Sequence, residues 1–274
     1  MEQILFETIS AAFNEAEQYC SRYAENTQEL IQAARSETVR LEYGRGGSVL
    51  RRGYYCPALV KDIIIGNCSR GKLIHSFRKP PDYLYHFDAA GKLRLAENNF
   101  STELILWEGN RELGFVVERK DGLCGLSVCD YSAGAPQNCR IFYHTVSLNV
   151  WEMYMESYRF REGFLDTAEV MNVLYYPSEK LRATFTGNAK NRLHCVGFTE
   201  EEIQEFVSGA YQMGIHELIQ FKNNGHRLVS YSEKNLLPAP AKYPTIPERS
   251  YEISKQELHP YLNIEHNKTH SVRP

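Results

Sequence analysis

Apolar side chains near the start of the chain recur at the three- and four-residue spacing of an amphipathic helix. The positions concerned are Leu5, Ile9, Ala12, Phe13, Ala16, Cys20 and Tyr23. A second helix start follows, because Asn26 can cap a helix whose third position is Glu29. The pattern therefore predicts two helices before residue 37.

From Val39 the pattern changes to the two-residue alternation of a β-strand, and strand signals continue to about residue 176. Short turn-like segments separate these strands, and no helical segment lies between them. Parallel pairing requires long crossovers, so the pattern predicts consecutive antiparallel hairpins. The stretch from Trp151 to Arg161 fits a helix or a strand, and its strand neighbours favour the strand.

A later amphipathic helix is predicted to begin at Thr199, a good N-cap with Glu202 in the capping-box position. Its apolar face would contain Ile203, Phe206, Val207, Ala210, Gly214 and Leu218. Lys222 lies near the predicted end of this helix, and Gly225 supplies a left-handed stop. A strand is predicted after it, over residues 227–231.

Together these elements predict an α+β fold, in which N-terminal helices and the later helix pack on a long antiparallel β-meander sheet. We expect residues 1–236 to form a single domain. Six of the eleven prolines follow residue 237, so residues 237–274 are expected to form an extended or disordered Pro-rich tail. His266 and His270 lie in that tail without further ligand candidates, so no metal site is expected.

The composition is that of a soluble globular protein, with 43% hydrophobic and 24% charged residues. A secretory signal needs a basic start, and the first twenty residues contain neither Lys nor Arg. No stretch approaches the roughly 20 apolar residues that span a bilayer, so no membrane partner is expected. The seven cysteines contain no Cys-x-x-Cys pair, which favours reduced thiols in a cytoplasmic protein.

Charge is unevenly distributed, although the formal net charge is only -3. Residues 1–37 hold seven Glu against two Arg, a net of −5. Residues 40–79 hold nine Lys and Arg against two acidic residues, a net of +7. The basic region is a candidate nucleic-acid surface. The favoured interpretation is that the two segments neutralise each other within one domain, which argues against a nucleic-acid partner.

Gly66–Lys72 matches the start of a phosphate-binding loop, Gly-x-x-x-x-Gly-Lys, after an apolar run from Val60 to Ile65. Two requirements of that loop fail. Leu73 stands where a Ser or Thr hydroxyl would ligate the metal, and Pro80-Pro81 leaves little room for the helix that would bind phosphate. We therefore predict a strand-turn-strand connection here and no nucleotide cofactor.

Two sets of residues carry possible catalytic chemistry. Cys56 with His144 or His194 has the residue types of a Cys–His hydrolase, although an unexported Cys is more often a small buried hydrophobe. Glu152 and Glu156 would lie on one side of a strand and could act as an acid pair. A hydrolase-type enzyme that uses either set stays an alternative.

Tyr and Arg provide large contact areas and directed hydrogen bonds, which suits protein recognition. Two groups of such residues are the candidate binding residues: Arg51, Arg52, Tyr54 and Tyr55, and Glu152, Tyr154, Glu156 and Tyr158. The alternative is that they are ordinary exposed sheet residues without a binding role. The leading expectation is a non-catalytic intracellular protein-binding module whose partner is another protein.

The run Tyr85-His86-Phe87-Asp88-Ala89-Ala90-Gly91-Lys92-Leu93 has the form of two strand ends joined by a turn. It resembles the Tyr-x-Phe-Asp-x-x-Gly-Lys-Leu hairpins of uncharacterised bacterial proteins, some of which are immunity-type proteins that neutralise a toxin by binding it. The resemblance covers about nine residues and mainly encodes the turn. It implies a bacterial binding protein and carries no functional residues across.

Overall fold

The computed structural model describes residues 2–47, 51–64, 70–118, 122–145, 150–175, 199, 201, 211–236 and 248–253. Within these residues the chain has three α-helices and thirteen strands of antiparallel sheet, which confirms the predicted α+β class. None of the described helices combines the length and apolarity that crossing a bilayer requires.

The described chain forms two compact units, one within residues 1–142 and the other within residues 143–253. The division falls within the strand Ala135–Thr145. The single domain predicted for residues 1–236 stays a prediction. Within the predicted tail, residues 249–252 form a short exposed strand, and residues 237–247 and 254–274 lie outside the described part of the chain.

The first unit contains three helices and eight strands among its described residues. These are α1 (Glu2–Tyr23), α2 (Thr27–Ser36), β1 (Arg40–Arg45), α3 (Lys61–Ile64), β2 (Lys72–Ile74), β3 (Tyr83–Phe87), β4 (Leu93–Glu97), β5 (Ser101–Glu108), β6 (Arg111–Glu118), β7 (Gly122–Ser132) and β8 (Ala135–Thr145), with a 3-10 turn at Gly53–Tyr55. The strand order is β2-β1-β3-β4-β5-β6-β7-β8. This sheet is the predicted meander, except that β2 folds back onto the outer side of β1.

The second unit consists of five described strands that neighbour one another in chain order. These are β9 (Val150–Arg161), β10 (Phe164–Tyr175), β11 (Tyr211–Asn223), β12 (Leu228–Asn235) and β13 (Arg249–Glu252). All four pairings are antiparallel. Strand β9 confirms the strand interpretation of residues 151–161.

Helices α1 and α2 cover one face of the first unit's sheet, which we call the helix face. Tyr23 at the end of α1 packs its ring 5.0 Å from that of Phe115 on β6. The ring centroid of Phe13, earlier in α1, lies 5.7 Å from that of Phe142 on β8. Helix α2 packs over β4 and β5. The amphipathic pattern therefore predicted both helices and the layer that they form.

The opposite face of the same sheet is covered by the segment from residue 51 to residue 60. Tyr54 and Tyr55 pack against a buried cluster of sheet residues. The members of this cluster are Tyr83, Tyr85, Phe87, Ala96 and Ile105. Because each face of the sheet has its own cover, the strands in the middle of the first unit are buried on both sides.

Two turn features match the sequence and one capping feature does not. The β3–β4 turn has Asp88 accepting hydrogen bonds from the backbone amides of Ala90 and Lys92, and Gly91 has the positive φ of 74° that the turn needs. Asn26 occupies the N-cap of α2, but its side chain makes no capping hydrogen bond. Thr27, one position later, donates its hydroxyl to the Tyr23 carbonyl at 2.5 Å instead.

The strand predicted from Val60 to Ile65 is wrong, because residues 61–64 form helix α3. A short buried apolar run has no periodicity that separates strand from helix. Here Arg70 fixes the fold by donating hydrogen bonds to the carboxylate of Asp62 and to the carbonyls of residues 56 and 58. Residues 65–69 lie outside the described part of the chain. Residues 72–74 form strand β2 antiparallel to β1, which is not the helix that a phosphate-binding loop requires.

The helix predicted to begin at Thr199 does not extend to Lys222, because residues 211–223 form strand β11. Ile219 and Phe221 are buried two positions apart, which is the spacing of a strand face. The predicted helix instead placed Leu218 on its apolar face. Residues 202–210 lie outside the described part of the chain.

Substitutions in β11 test this correction. Ile219 is completely buried and pairs with Ala168 on β10, so Ile219→Ala is expected to lower the free energy of unfolding by about 2–5 kcal/mol. Leu218 points to the opposite side of the strand and is only half-buried, so Leu218→Ala should cost less. Urea unfolding of both variants measures the difference. A larger cost at Leu218 would contradict the strand.

Candidate functional site

The first group of predicted binding residues, from Arg51 to Tyr55, lies on the covered face of the sheet. Arg52 is 3% exposed. Its Nη2 donates to Glu103 Oε1 at 2.7 Å and to Ser127 Oγ at 3.1 Å, and its Nη1 donates to Glu112 Oε1. Strands β5, β6 and β7 each contribute one of these partners. Arg52 therefore joins its segment to the three central strands.

The backbone around Arg52 is shaped for this contact. Arg52 has a φ of 64°, in the left-handed region that a non-glycine residue enters only when surrounding contacts hold it there. On β6, Gly114 leaves the space that the guanidinium occupies, since a Cβ atom there would lie 2.4 Å from Arg52 Nη2, Glu103 Oε1 and Ser127 Oγ. Gly125 on β7 does the same for Arg51, whose Nη1 would lie 2.4 Å from an added Cβ atom.

The charges in this cluster keep the arginine ionised. Burial by itself would lower the pKa of Arg52, but the carboxylates of Glu103 and Glu112 and their hydrogen bonds raise that pKa well above its ordinary value. One guanidinium thus compensates two buried carboxylates. Losing one partner of such a buried pair costs about 3–5 kcal/mol, because the remaining charge is left uncompensated. This cluster anchors the fold.

Tyr54 and Tyr55 are half-buried and face the sheet. The Tyr54 amide donates to the Tyr85 hydroxyl at 3.1 Å, and that hydroxyl donates to the Arg52 carbonyl at 3.0 Å. The Tyr55 hydroxyl donates to Glu42 Oε2 at 2.5 Å, and its ring lies 4.8 Å from the ring of Tyr85. The structure thus brings these residues together through contacts within the chain.

The second predicted group lies on one side of β9, as strand alternation requires. Glu156 is 0% exposed, and its two oxygens accept hydrogen bonds from the hydroxyls of Tyr154 at 2.7 Å and Tyr158 at 2.5 Å. Glu152 is half-buried and accepts a hydrogen bond from the side-chain amide of Asn172 at 2.9 Å. Tyr154, Glu156 and Tyr158 are therefore buried in this structure, not presented on a surface.

The catalytic candidates are only partly described. Cys56 is completely buried. The side chains of His144 and His194 lie outside the described part of the chain, so their pairing with Cys56 stays a prediction. His266 and His270 lie outside it as well. Among the described residues no group of three His, Cys, Asp or Glu side chains is arranged to hold a metal ion.

A polar network that the sequence did not indicate lies where α2 meets the sheet. His86 Nδ1 lies 3.1 Å from Thr38 Oγ1, and His86 Nε2 lies 2.9 Å from Glu97 Oε2. The hydrogen bond from His86, together with Arg35 at 3.1 Å, lowers the pKa of Glu97 to about 2. The Thr38 hydroxyl also donates to the Ala34 carbonyl at 2.9 Å, so its proton is engaged in the helix end. The network ties α2 to β3 and β4.

A polar groove of about 890 Å³ lies beside this network. It runs between α2 and the strands that follow it, and it is open to solvent. Its polar lining includes Gln28, Arg35, Asp82, Asn98, Thr102 and Glu118. Asn98 is occupied in its own turn, since its Oδ1 accepts from the backbone amides of Phe100 and Ser101. These described lining residues do not bring a nucleophile and a base into contact.

At the edge of the first unit's sheet, β1 is only partly paired with its outer neighbour β2. Strand β1 pairs with β3 along residues 40–44, but it pairs with β2 only along residues 43–45. Among the described residues, no strand pairs with the outer edge of β1 at residues 40–42. Backbone groups on a strand edge of this kind are available to another chain.

Apolar side chains are exposed beside that edge. Val39 is 66% exposed, Leu41 is 44% exposed and Phe77 is 46% exposed. Leu41 lies opposite His86 and shares its helix face, and the ring of Tyr43 lies 5.1 Å from that of Phe77. Helix α2 packs over β4 and β5, whereas Val39 and Leu41 stay exposed on the same face.

Three exposed cations lie on the segment that contains Phe77. Residues 72–79 contain Lys72, Arg78 and Lys79, all exposed, and no acidic residue. Arg45 holds the following loop in place by donating from Nη2 to the carbonyls of Lys79 at 2.7 Å and Pro80 at 3.2 Å. We call this region the edge surface, which consists of Val39, Leu41, Tyr43, Phe77, Lys72, Arg78 and Lys79. The alternation from Val39 to Tyr43 predicted a strand but did not show that it would lie near the sheet edge.

Comparison with known proteins returns no relative. The chain matches no protein-family model, no curated protein and no solved structure.

Removal of the Arg52 guanidinium tests the role of the buried cluster. Arg52→Ala is expected to lower the free energy of unfolding by about 3–5 kcal/mol, because Glu103 and Glu112 would keep two buried charges without a cation. Arg22→Ala removes an exposed ion pair with Glu108 and should lower the free energy of unfolding by only about 0–1 kcal/mol. Urea unfolding compares the two variants. Equal costs would show that the buried cluster is not an anchor.

The lowered pKa of Glu97 predicts an acid-sensitive contribution to stability. Its carboxylate is stabilised in the folded chain, so the contribution is complete above pH about 4.5 and is lost as pH falls toward about 2. The stability gap between the wild type and Glu97→Gln should therefore narrow over that range. Urea unfolding at several pH values measures the gap, and Glu37→Gln controls for the loss of an exposed carboxylate. A gap that does not change with pH would contradict the assignment.

Proposed function

We propose that this chain is a non-catalytic protein-binding module that uses the edge surface to engage another protein. The observation that supports this proposal is the combination of exposed Val39, Leu41 and Phe77 with a strand edge, at residues 40–42, that no other described strand pairs with. An unpaired edge pairs readily with a second chain unless it is protected, and clustered exposed apolar side chains mark interaction sites.

The surroundings of the reactive groups also favour binding over catalysis. Cys56 is completely buried, and Glu156 is enclosed by two tyrosine hydroxyls on its own strand. Glu97 is held by His86 and Arg35. A general acid or base must reach a proton of the substrate. Cys56 and Glu156 are buried, and Glu97, which lines the polar groove, has one carboxylate oxygen held by Arg35 and the other by His86.

The basic region offers less to a nucleic acid than its net charge indicates. Three of its nine cations are buried, namely Arg52, Lys61 and Arg70. Arg52 and Arg70 pair with acidic side chains there. Of the other six, Arg45 and Arg51 are half-buried, and Arg40 lies over the ring of Phe87 and pairs with Glu42. Few cations are therefore left for a phosphate backbone, which favours a protein partner.

The proposed module is a cytoplasmic protein, and a toxin-neutralising role is one form of the proposal. That form rests on the resemblance of the β3–β4 hairpin to immunity-type proteins. In the structure Tyr85 and Phe87 belong to the buried cluster and Asp88 and Gly91 form the turn. The hairpin itself is therefore scaffold, and the proposed contact lies on the neighbouring strand β1.

Affinity capture from lysate of the source cells tests this proposal. The wild-type chain should retain a partner protein that the double variant Leu41→Asp/Phe77→Asp loses, because two carboxylates would replace apolar contacts at the edge surface. Phe100→Asp is the matched control, since Phe100 is 80% exposed at the β4–β5 turn, outside the edge surface. Quantitative mass spectrometry compares the captured proteins. Identical sets for all three chains would contradict the proposed surface.

A further inference from the structure

We propose that the occupant of the edge surface is an extended, acidic segment of the partner protein, which adds as a strand to the outer edge of β1. This inference rests on the proposed binding function and specifies its mode. It requires an open edge of sufficient length, side chains that fit a strand, and a charge that the partner complements.

The open edge follows from the short length of β2. β1 has six residues, and β2 pairs with only three of them, from Tyr43 to Arg45. Beyond Ile74 the chain leaves the sheet, and Phe77 then packs against Tyr43. The acidic segment of the partner, which we call the guest strand, would pair with residues 40–42 on the same side of β1 as β2 and would continue β2 along that edge. Main-chain hydrogen bonds supply the affinity in this mode of recognition.

The side chains along β1 fit the alternation of a guest strand. On the helix face, Val39 and Leu41 would contact every second residue of the guest, which favours apolar residues at those positions. On the other face Arg40 lies over the ring of Phe87, with its guanidinium carbon 3.8 Å from the ring centroid, and it pairs with Glu42. The guest residues between the apolar positions therefore meet a polar environment.

The charge of the edge surface specifies an acidic guest. Lys72, Arg78 and Lys79 are exposed on one short segment that has no acidic residue. The nearest carboxylate on β1, that of Glu42, is already held by the Tyr55 hydroxyl and by Arg40. Complementary potentials across an interface favour association and exclude wrong partners.

The same charge argues against a second copy of this chain as the occupant. In an edge-to-edge pair of copies, neither edge surface would supply a carboxylate to the exposed cations of the other, because residues 72–79 contain none and Glu42 is held by Tyr55 and Arg40. An acidic segment of a different protein supplies those carboxylates and retains both the backbone pairing and the apolar contacts.

Selection from a phage-displayed library of short random peptides tests the inference. The wild-type chain is the bait, and binders that also bind Leu41→Asp/Phe77→Asp are removed. The expected peptides are rich in Asp and Glu and have apolar residues at alternate positions. No enrichment, or enrichment of peptides without acidic residues, would overturn the inference.

The enriched peptide then serves as the probe in fluorescence anisotropy. Arg78→Glu/Lys79→Glu should weaken its binding at least about tenfold, and added salt should weaken binding to the wild type. Two peptides are then compared, one N-methylated at its odd-numbered amides and the other at its even-numbered amides. Only one of them should lose binding, because a strand pairs through every second amide. Unchanged binding to Arg78→Glu/Lys79→Glu, or an equal loss of binding for the two methylated peptides, would overturn the inference. So would a homodimer that Leu41→Asp dissociates.

The outcomes separate this inference from the proposed function. If a captured protein depends on Leu41 and Phe77 but the selected peptides are neither acidic nor extended, the function stands and the strand-addition mode fails. If neither a captured protein nor a peptide depends on those two residues, the edge surface binds nothing and both fail.

Discussion

The buried ion cluster of Arg52 with Glu103 and Glu112 is the interaction on which the first unit depends. It docks the segment after β1 onto three central strands, and Gly114 leaves the space for it. A sheet with two apolar faces must be covered on both of them to exclude water. The helices cover one face, and the arginine-anchored segment covers the other. The charged residues of that segment are thus part of the interior.

Although both faces of the central strands are covered, the sheet edge at β1 keeps exposed apolar side chains. Helix α2 is tied to β3 and β4 through His86 and Glu97, so the helix layer ends there. Strand β1 lies one strand further out, with Val39 and Leu41 exposed, and the described strands pair with only half of its outer edge. The same contacts that fix the core therefore determine which surface is available for binding.

Sequence patterns predicted the parts of this fold that local periodicity encodes. The two first helices, the meander and strand β9 follow from spacing and turn residues. The run at Val60 and the segment at Ile219 were assigned the wrong element, because short or mixed apolar patterns fit both periods. Arg52 was expected on a surface, since the space that Gly114 provides arises only when distant strands pair. The open edge of β1 depends on strand order, which no local pattern contains.

No other described strand pairs with the outer edge of β1 at residues 40–42. Amide hydrogen exchange followed by nuclear magnetic resonance tests this open edge most directly. We expect fast exchange for amides of Arg40–Glu42 that point away from β3, and slow exchange for the paired amides of β5 and β6. Uniformly slow exchange along β1 would show that its edge is already covered and would contradict the open edge.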